Sequence, residues 1–204
     1  MDTPRVDHYF SPEPTEPRRD RTVTFQAGRR TYTLASAGGV FSADRLDPGT
    51  AVLLRKAPLP APDLTGELLD LGCGYGPIAC VLATEAPHAT VWAVDVNARA
   101  RELAAANAAA LGIADRVRVA APDQVPAAVR FAQIWSNPPV RVGKPELHAM
   151  METWLPRLTP DGVAWLVVAK HLGGDSLQRW LTQQGWPATR HASRQGYRVL
   201  RVTR

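Results

Sequence analysis

From Gly66 onward, short apolar runs alternate with segments of helical character, and this rhythm constrains the fold more than any other feature of the chain. "ELLDLG", "TVWAVDV", "RVRVAA", "FAQIWS" and "VAWLVVA" read as strands. "PIACVLATEA", "NARARELAAANAAALG", "KPELHAMMETWLPRL" and "DSLQRWLTQQG" read as helices, the second capped by Asn97 and closed by Gly112. Strands this apolar need cover on both faces, and the intervening helices supply it; a mostly parallel sheet follows. "TPDG" (159–162) reads as an exit turn, and "TRHASRQ" with "YRVLRVT" as a closing antiparallel pair. The predicted fold class is α/β, a doubly wound, Rossmann-like sheet of seven strands.

Upstream, "RTVTF" and "RTYTL" alternate apolar and polar residues around Gly28, which predicts a β-hairpin. "DPGTAVLLRKA" opens a helix, with Asp47 as N-cap and Pro48 at the first helical position. Residues 1–20 hold four prolines and few apolar groups, and read as a loosely ordered arm. The predicted division is an arm and hairpin over 1–46 and the main domain over 47–204.

Hydrophobic content of 45% is ordinary for a globular chain, and no apolar stretch approaches the ~20 residues of a membrane span. Cys73 and Cys80 form neither a zinc pattern nor a disulfide framework, and with no signal-peptide core at the N-terminus the expected location is the cytoplasm. His88, His171 and His191 show no ligand spacing, so no metal is expected; His8 could order the arm over the active site, and His148 falls on the surface of an amphipathic helix. Charge is uneven. Residues 170–204 carry seven basic side chains (Lys170, Arg179, Arg190, Arg194, Arg198, Arg201 and Arg204) against Asp175 alone, whereas the rest of the chain is nearly balanced. Such an end suits a phosphate-bearing partner or is simply a solvated arginine-rich surface. Lys170, closing the fifth strand, falls on the rim where a substrate enters. Nothing in the sequence sets an oligomeric state.

The first strand–helix junction is "LLDLGCGYGP": Asp70, then Gly72, Gly74 and Gly76. Glycines there let a ligand approach backbone at the carboxyl end of a strand. The spacing is tighter than that of dinucleotide folds. Asp70 would repel a pyrophosphate and attract an ammonium. Asp95 ends the next strand, where a carboxylate can accept both hydroxyl protons of a ribose. A ligand with adenosine at one end and a cationic amino acid at the other fits this set, and S-adenosylmethionine has that shape.

Across the sheet, "FAQIWS" stops at "SNPP". One proline suffices to end a strand. An exocyclic amine on a nucleobase is a poor nucleophile because its lone pair is delocalised into the ring. Two acceptors aimed at its N–H groups favour the charge that develops as a methyl is transferred. The Asn137 side-chain oxygen can be one. The Pro138 carbonyl, held in direction by Pro139, can be the other.

"DLGCGYG", "VDVN" and "SNPP", in this order, resemble the class I S-adenosylmethionine-dependent methyltransferases that act on amines. "GVFSADRLDPGTAVLL", "GKPELH", "DHYFS" and "GYRVL" narrow the resemblance to the catalytic half of the small-subunit ribosomal RNA guanine-N2-methyltransferases and their single-domain relatives. The resemblance covers the chain from about Asp7 to its end. It implies S-adenosyl-L-methionine as cofactor, with Asp70, Gly72, Gly74 and Gly76 around its methionine part, Asp95 on the ribose and Asp123 near the adenine. Phe41 and Thr50 would cover the donor, and Asn137, Pro138 and Pro139 would hold the target amine. The implied substrate is RNA, most naturally guanine N2 of ribosomal RNA. A glutamine amide of a protein, an adenine of DNA, or a non-catalytic role in binding the donor stay open. Where many amino-methylating enzymes have an aromatic residue after the second proline, this chain has Val140, so Tyr9, Phe10 or Phe41 is expected to stack on the base.

Overall fold

The computed structural model describes residues 17–139 and 143–204. Residues 1–16 of the expected arm, with His8, Tyr9 and Phe10, and Val140 lie outside them, and the arm's last residue, Asp20, already belongs to the first strand. The hairpin comprises β1 (Asp20–Ala27) and β2 (Arg30–Ala37), antiparallel about Gly28, whose φ of 57° suits a glycine. Then follow α1 (Pro48–Lys56), β3 (Gly66–Leu71), α2 (Pro77–Glu85), β4 (Ala89–Val94), α3 (Ala98–Ala110), β5 (Val117–Ala120), β6 (Phe131–Ser136), α4 (Lys144–Trp154), β7 (Leu158–Ala169), α5 (Gly174–Gln183), β8 (Ala188–Arg194) and β9 (Tyr197–Thr203).

The main sheet has seven strands in the order β5-β4-β3-β6-β7-β9-β8. β5, β4, β3, β6 and β7 are parallel; β9 runs antiparallel between β7 and β8. This is the predicted doubly wound arrangement. Apolar side chains of α1, α2, α3 and the hairpin form one core, and those of α4 and α5 form a second on the opposite face. Trp154 and Trp165 are buried in these cores, while Trp180 stacks on His148 between α5 and α4.

One local reading needs correction. "TPDG" is not an exit turn, because β7 already begins at Leu158. Its pairing with β6 slips between Phe131↔Leu158 and Gln133↔Val163, so the four residues form a bulge. Gly162 permits it: a Cβ there would stand 3.0 Å from the Phe131 carbonyl oxygen and from the Thr159 backbone.

The hairpin shares its core with the sheet, and its free edge is satisfied by a side chain. Asn107 of α3, only 2% exposed, accepts the Ala35 N–H at 2.7 Å and donates to the Ala35 carbonyl at 2.8 Å and the Tyr75 carbonyl at 2.8 Å. It thereby does for β2 what a neighbouring strand would do. Asn107→Leu keeps the volume but strands these backbone groups, and should cost about 2–4 kcal/mol in chemical denaturation. A loss below about 1 kcal/mol would show that water replaces the amide.

Candidate active site

Parallel strands deliver their carboxyl ends to one edge of the sheet, and the chain leaves β3 toward β4 on one side while β6 lies on the other. A cleft opens at that reversal, as expected for doubly wound sheets. Its volume is about 510 Å³, within the ~300–1,000 Å³ of small-molecule sites.

The glycine loop forms the floor. The Gly72 and Cys73 N–H groups donate to the Val94 carbonyl at 2.8 and 3.0 Å, which pins the loop to the end of β4. Gly72, at φ 76°, faces space with nothing within 4 Å of a Cβ, and Gly74, at φ 54°, would meet only Val40. These two line the cleft. Gly76 serves packing instead: a Cβ there would stand 3.1 Å from the Ala104 Cβ, so its absence lets α3 lie on the start of α2.

Asp95 lines the cleft with its carboxylate already oriented, accepting the Gly74 N–H at 2.8 Å and the Asn97 N–H at 2.9 Å. Burial pushes its carboxyl above the ordinary range, opposed by the hydrogen bonds from Asn97 and Gly74 and by Arg101. Asp70 does not line the cleft. It is fully buried beneath the loop, one oxygen accepting the Ala79 N–H of α2 at 2.8 Å and the other without a partner among the described residues. Asp123 is exposed on the single turn after β5, and its neighbour Pro122 is the residue that reaches the cleft.

On the far wall β6 ends where the diproline removes the ladder donors. The Ser136 hydroxyl donates to the Leu71 carbonyl at 2.7 Å, locking this end to the residue before Gly72. Asn137, Pro138 and Pro139 line the same cleft as Gly72, Gly74 and Asp95. The Asn137 amide nitrogen donates to Asp47 Oδ2 at 2.7 Å and Thr50 Oγ1 at 3.0 Å. Thr50, expected over the donor, is thus 4% exposed and engaged with Asn137. Phe41 lines the cleft.

Sequence reasoning missed Asp47, Arg45, Val96, Met150, Leu172 and Tyr197, all of which line the cleft. One signal is visible only in three dimensions. Among the described residues the exposed large apolar side chains are Phe41, Val96, Leu111 and Leu172, and all but Leu111 stand on this cleft. Exposed apolar groups gathered at one cavity mark a ligand with apolar faces. The field inside is negative: Asp95 helps to raise Asp70 and Cys73, and Asp47 helps to raise Tyr75 and Tyr197, in each case after burial.

The basic C-terminal residues are spread over the end of β7, α5, β8 and β9, and Arg198, Arg190 and Lys170 all lie close enough to Asp175 to hold its carboxyl below the usual range. Arg198 pairs with Asp175 at 3.0 Å and Arg204 donates to the Leu158 carbonyl. Arg179 and Arg190 line a separate, open cavity along α5, together with Asp175. Lys170 and Arg194 lie at the cleft end: Lys170 donates its N–H to the Gly196 carbonyl, and Arg194 sits opposite Tyr197, a cleft residue, in the β8–β9 ladder. Among the described residues no three His, Cys, Asp or Glu side chains gather as a metal site, and no helix is long and apolar enough to cross a membrane.

Burial holds the Asp70 carboxyl at a pKa of about 8, opposed by the Ala79 N–H and reinforced by Asp95, against 3.8 for a free side chain. The folded state therefore keeps a proton that the unfolded chain loses near pH 4. Wherever the native state binds more protons, stability falls as pH rises, here between about 4 and 8. Asp70→Asn should flatten that slope in urea titrations at pH 5 and pH 8; an unchanged slope would assign it to other groups.

Residues 31–201 match the methyltransferase small domain. The chain is 33% identical to the uncharacterized protein YbxB of Bacillus subtilis over 96% of this chain and 98% of that one. It is 40% identical to ribosomal RNA small subunit methyltransferase C of Aeromonas hydrophila over 67% of this chain but only 38% of that protein. It superposes, with a TM-score of 0.76 and 25% identity, on the T. thermophilus 16S rRNA N2-guanosine methyltransferase in complex with AdoMet and guanosine. That alignment takes in 94% of this chain and 52% of the other, so the chain spans about half or less of the ribosomal RNA enzymes it matches. With a glycine-loop cleft at the switch point of a seven-stranded sheet and a family match over most of its length, the chain belongs to the methyltransferase small domain family.

Proposed function

We propose that this protein is a cytoplasmic S-adenosylmethionine-dependent N-methyltransferase acting on an exocyclic amine, most specifically guanine N2 of ribosomal RNA. The observation that carries the reading is one cleft lined on one wall by Gly72, Gly74 and Asp95 and on the other by Asn137, Pro138 and Pro139.

The residues fit the donor. Gly72 leaves open space at the loop, Asp95 offers remaining lone pairs to a pair of hydroxyls, and Val96 presents an exposed apolar face beside it. The negative field of Asp95, Asp47 and, when ionised, Asp70 suits a ligand bearing a sulfonium and an ammonium. Asp70 would act through that field and through the loop it supports. When bound, the donor supplies an electrophilic methyl group. The protein's part is to hold the amine in line with it and to accept hydrogen bonds from the amine as positive charge develops. The Asn137 nitrogen already donates to Asp47 and Thr50, which leaves its side-chain oxygen as the acceptor for an amine. Pro138 adds a backbone carbonyl whose direction Pro139 restricts. Phe41 and Leu172 are the exposed apolar groups that can meet the faces of a base. The ribosomal RNA relatives, one of them holding guanosine, support RNA and guanine as the target.

Lys170 and Arg194 at the cleft end are the proposed contacts to substrate phosphate, in place of the whole basic segment. Replacing both with Ala should weaken RNA binding at every sequence and make the salt dependence shallower by about 1.5 in logarithmic slope. An unaltered slope would remove them from the interface.

The function itself is tested with tritiated donor and RNA from a strain lacking the gene, followed by nucleoside analysis. Label in N2-methylguanosine is expected. Label in protein or DNA, or donor binding without transfer to any of the three, would overturn the reading. Asn137→Ala should keep donor affinity while slowing transfer by about 10²–10³. Asp95→Ala should do the reverse, weakening donor binding in calorimetric titration.

A further inference from the structure

Asp47 ends the loop before α1, where it caps the helix: its Oδ2 accepts the Thr50 N–H at 2.9 Å. The same oxygen receives a second donor, the Asn137 amide nitrogen, from 90 residues away. The other amide hydrogen goes to the Thr50 hydroxyl, a bond spanning 87 residues. An ionised carboxylate has lone pairs and nothing to donate, so only the nitrogen of Asn137 can face it. Turning the carboxamide over would set oxygen against oxygen at 2.7 Å. The nitrogen is therefore committed to Asp47 and Thr50, and the oxygen is the one group Asn137 has left for a ligand.

We propose that Asp47 and Thr50 are positioning residues for methyl transfer: they fix the orientation of the Asn137 carboxamide so that its oxygen, not its nitrogen, meets the target amine. This rests on the reading of Asn137 as the acceptor for that amine. A carboxamide free to rotate would also present its N–H groups to the substrate, and a donor facing an amine repels the charge that forms there. The helix cap thus serves the active site as well as α1. Its presence ahead of the glycine loop makes the segment between the hairpin and α1 part of the reaction centre.

The cap and the positioning role can be separated. Asp47→Ser retains an oxygen for the Thr50 N–H but is too short to reach Asn137. It should melt near the wild-type temperature while kcat falls about 10- to 100-fold. An unchanged kcat would overturn the proposal. Should Asp47→Ser fold poorly, the reversed pair gives the answer. Asn137→Asp sets two carboxylates against each other and should be nearly inactive. Adding Asp47→Asn to it restores a donor between the two side chains, and should recover at least about 10-fold in kcat; no recovery would overturn the proposal. A third readout needs no substrate. In ¹⁵N spectra the side-chain NH₂ signals missing from Asn137→Ala should exchange slowly in the wild type and like a free amide in Asp47→Ser. Equal exchange in both would refute the contact. Because this last measurement stands even where no RNA accepts a methyl group, failure of the functional reading and failure of the positioning role give different results.

Discussion

The reversal of strand order at β3 is the constraint on which the rest depends. β4 and β5 lie to one side of β3 and β6 and β7 to the other, so the connections after β3 and β6 go in opposite directions and no helix covers the gap between them. Short bonds then fix the two lips of that gap. Gly72 and Cys73 are held by the Val94 carbonyl, and Ser136 is held by the Leu71 carbonyl. The glycine-loop wall and the diproline wall are thereby both referenced to the end of β3. Their separation is a property of the sheet, and the loops inherit it.

The hairpin and the loop that follows it close the third side. Three side chains from α3 and its cap tie this segment down: Asn107 to Ala35, Asn97 to the Gly39 carbonyl at 2.9 Å and Arg99 to the Gly38 carbonyl at 2.7 Å. Polar side chains serve because the backbone they meet has no strand neighbour, and a buried carbonyl or N–H without a partner is costly. α3 therefore works in two directions. Its alanines pack on the α2 face, Ala104 against Gly76 in particular, and its polar residues hold the roof that carries Phe41, Arg45 and Asp47 over the cleft. The low amphipathic contrast of "ARARELAAANAAA" has a compositional cause: its exposed face is mostly alanine (Ala105, Ala106, Ala109 and Ala110), while its buried face includes Asn107.

The sheet and its helices were legible because hydrophobic periodicity is a local signal. Gly72 and Gly74 were legible too, since strand, glycines and helix occur close together in the chain. What escaped depends on contacts between distant segments. Nothing near Gly76 indicates that Ala104 will lie 3.1 Å from its missing Cβ, so a packing glycine looked like a ligand glycine. Nothing near Asp70 shows that one of its oxygens goes to Ala79 under the loop while Asp95 takes the cleft. "TPDG" carries strong turn chemistry, yet Gly162 lets β7 pass within contact of the Phe131 carbonyl and begin at Leu158, ahead of the apolar run. Asp47 was read as a cap from its neighbours alone. Its second bond, to a residue 90 positions on, has no trace in either segment.

Charge is sorted by depth. Inside, Asp47 and Asp95 make a field that raises the acids, thiol and phenols around them, and a cationic ligand is the natural complement. Outside, Lys170 and Arg194 stand at the mouth, while Arg198 is neutralised by Asp175 and Arg204 is engaged by a carbonyl. In the proposed function a polyanion and a cation use one opening, each meeting its opposite sign at a different level. Burial strengthens the inner field and solvent screens the outer one. On that proposal salt should act on RNA binding and spare the small ligand.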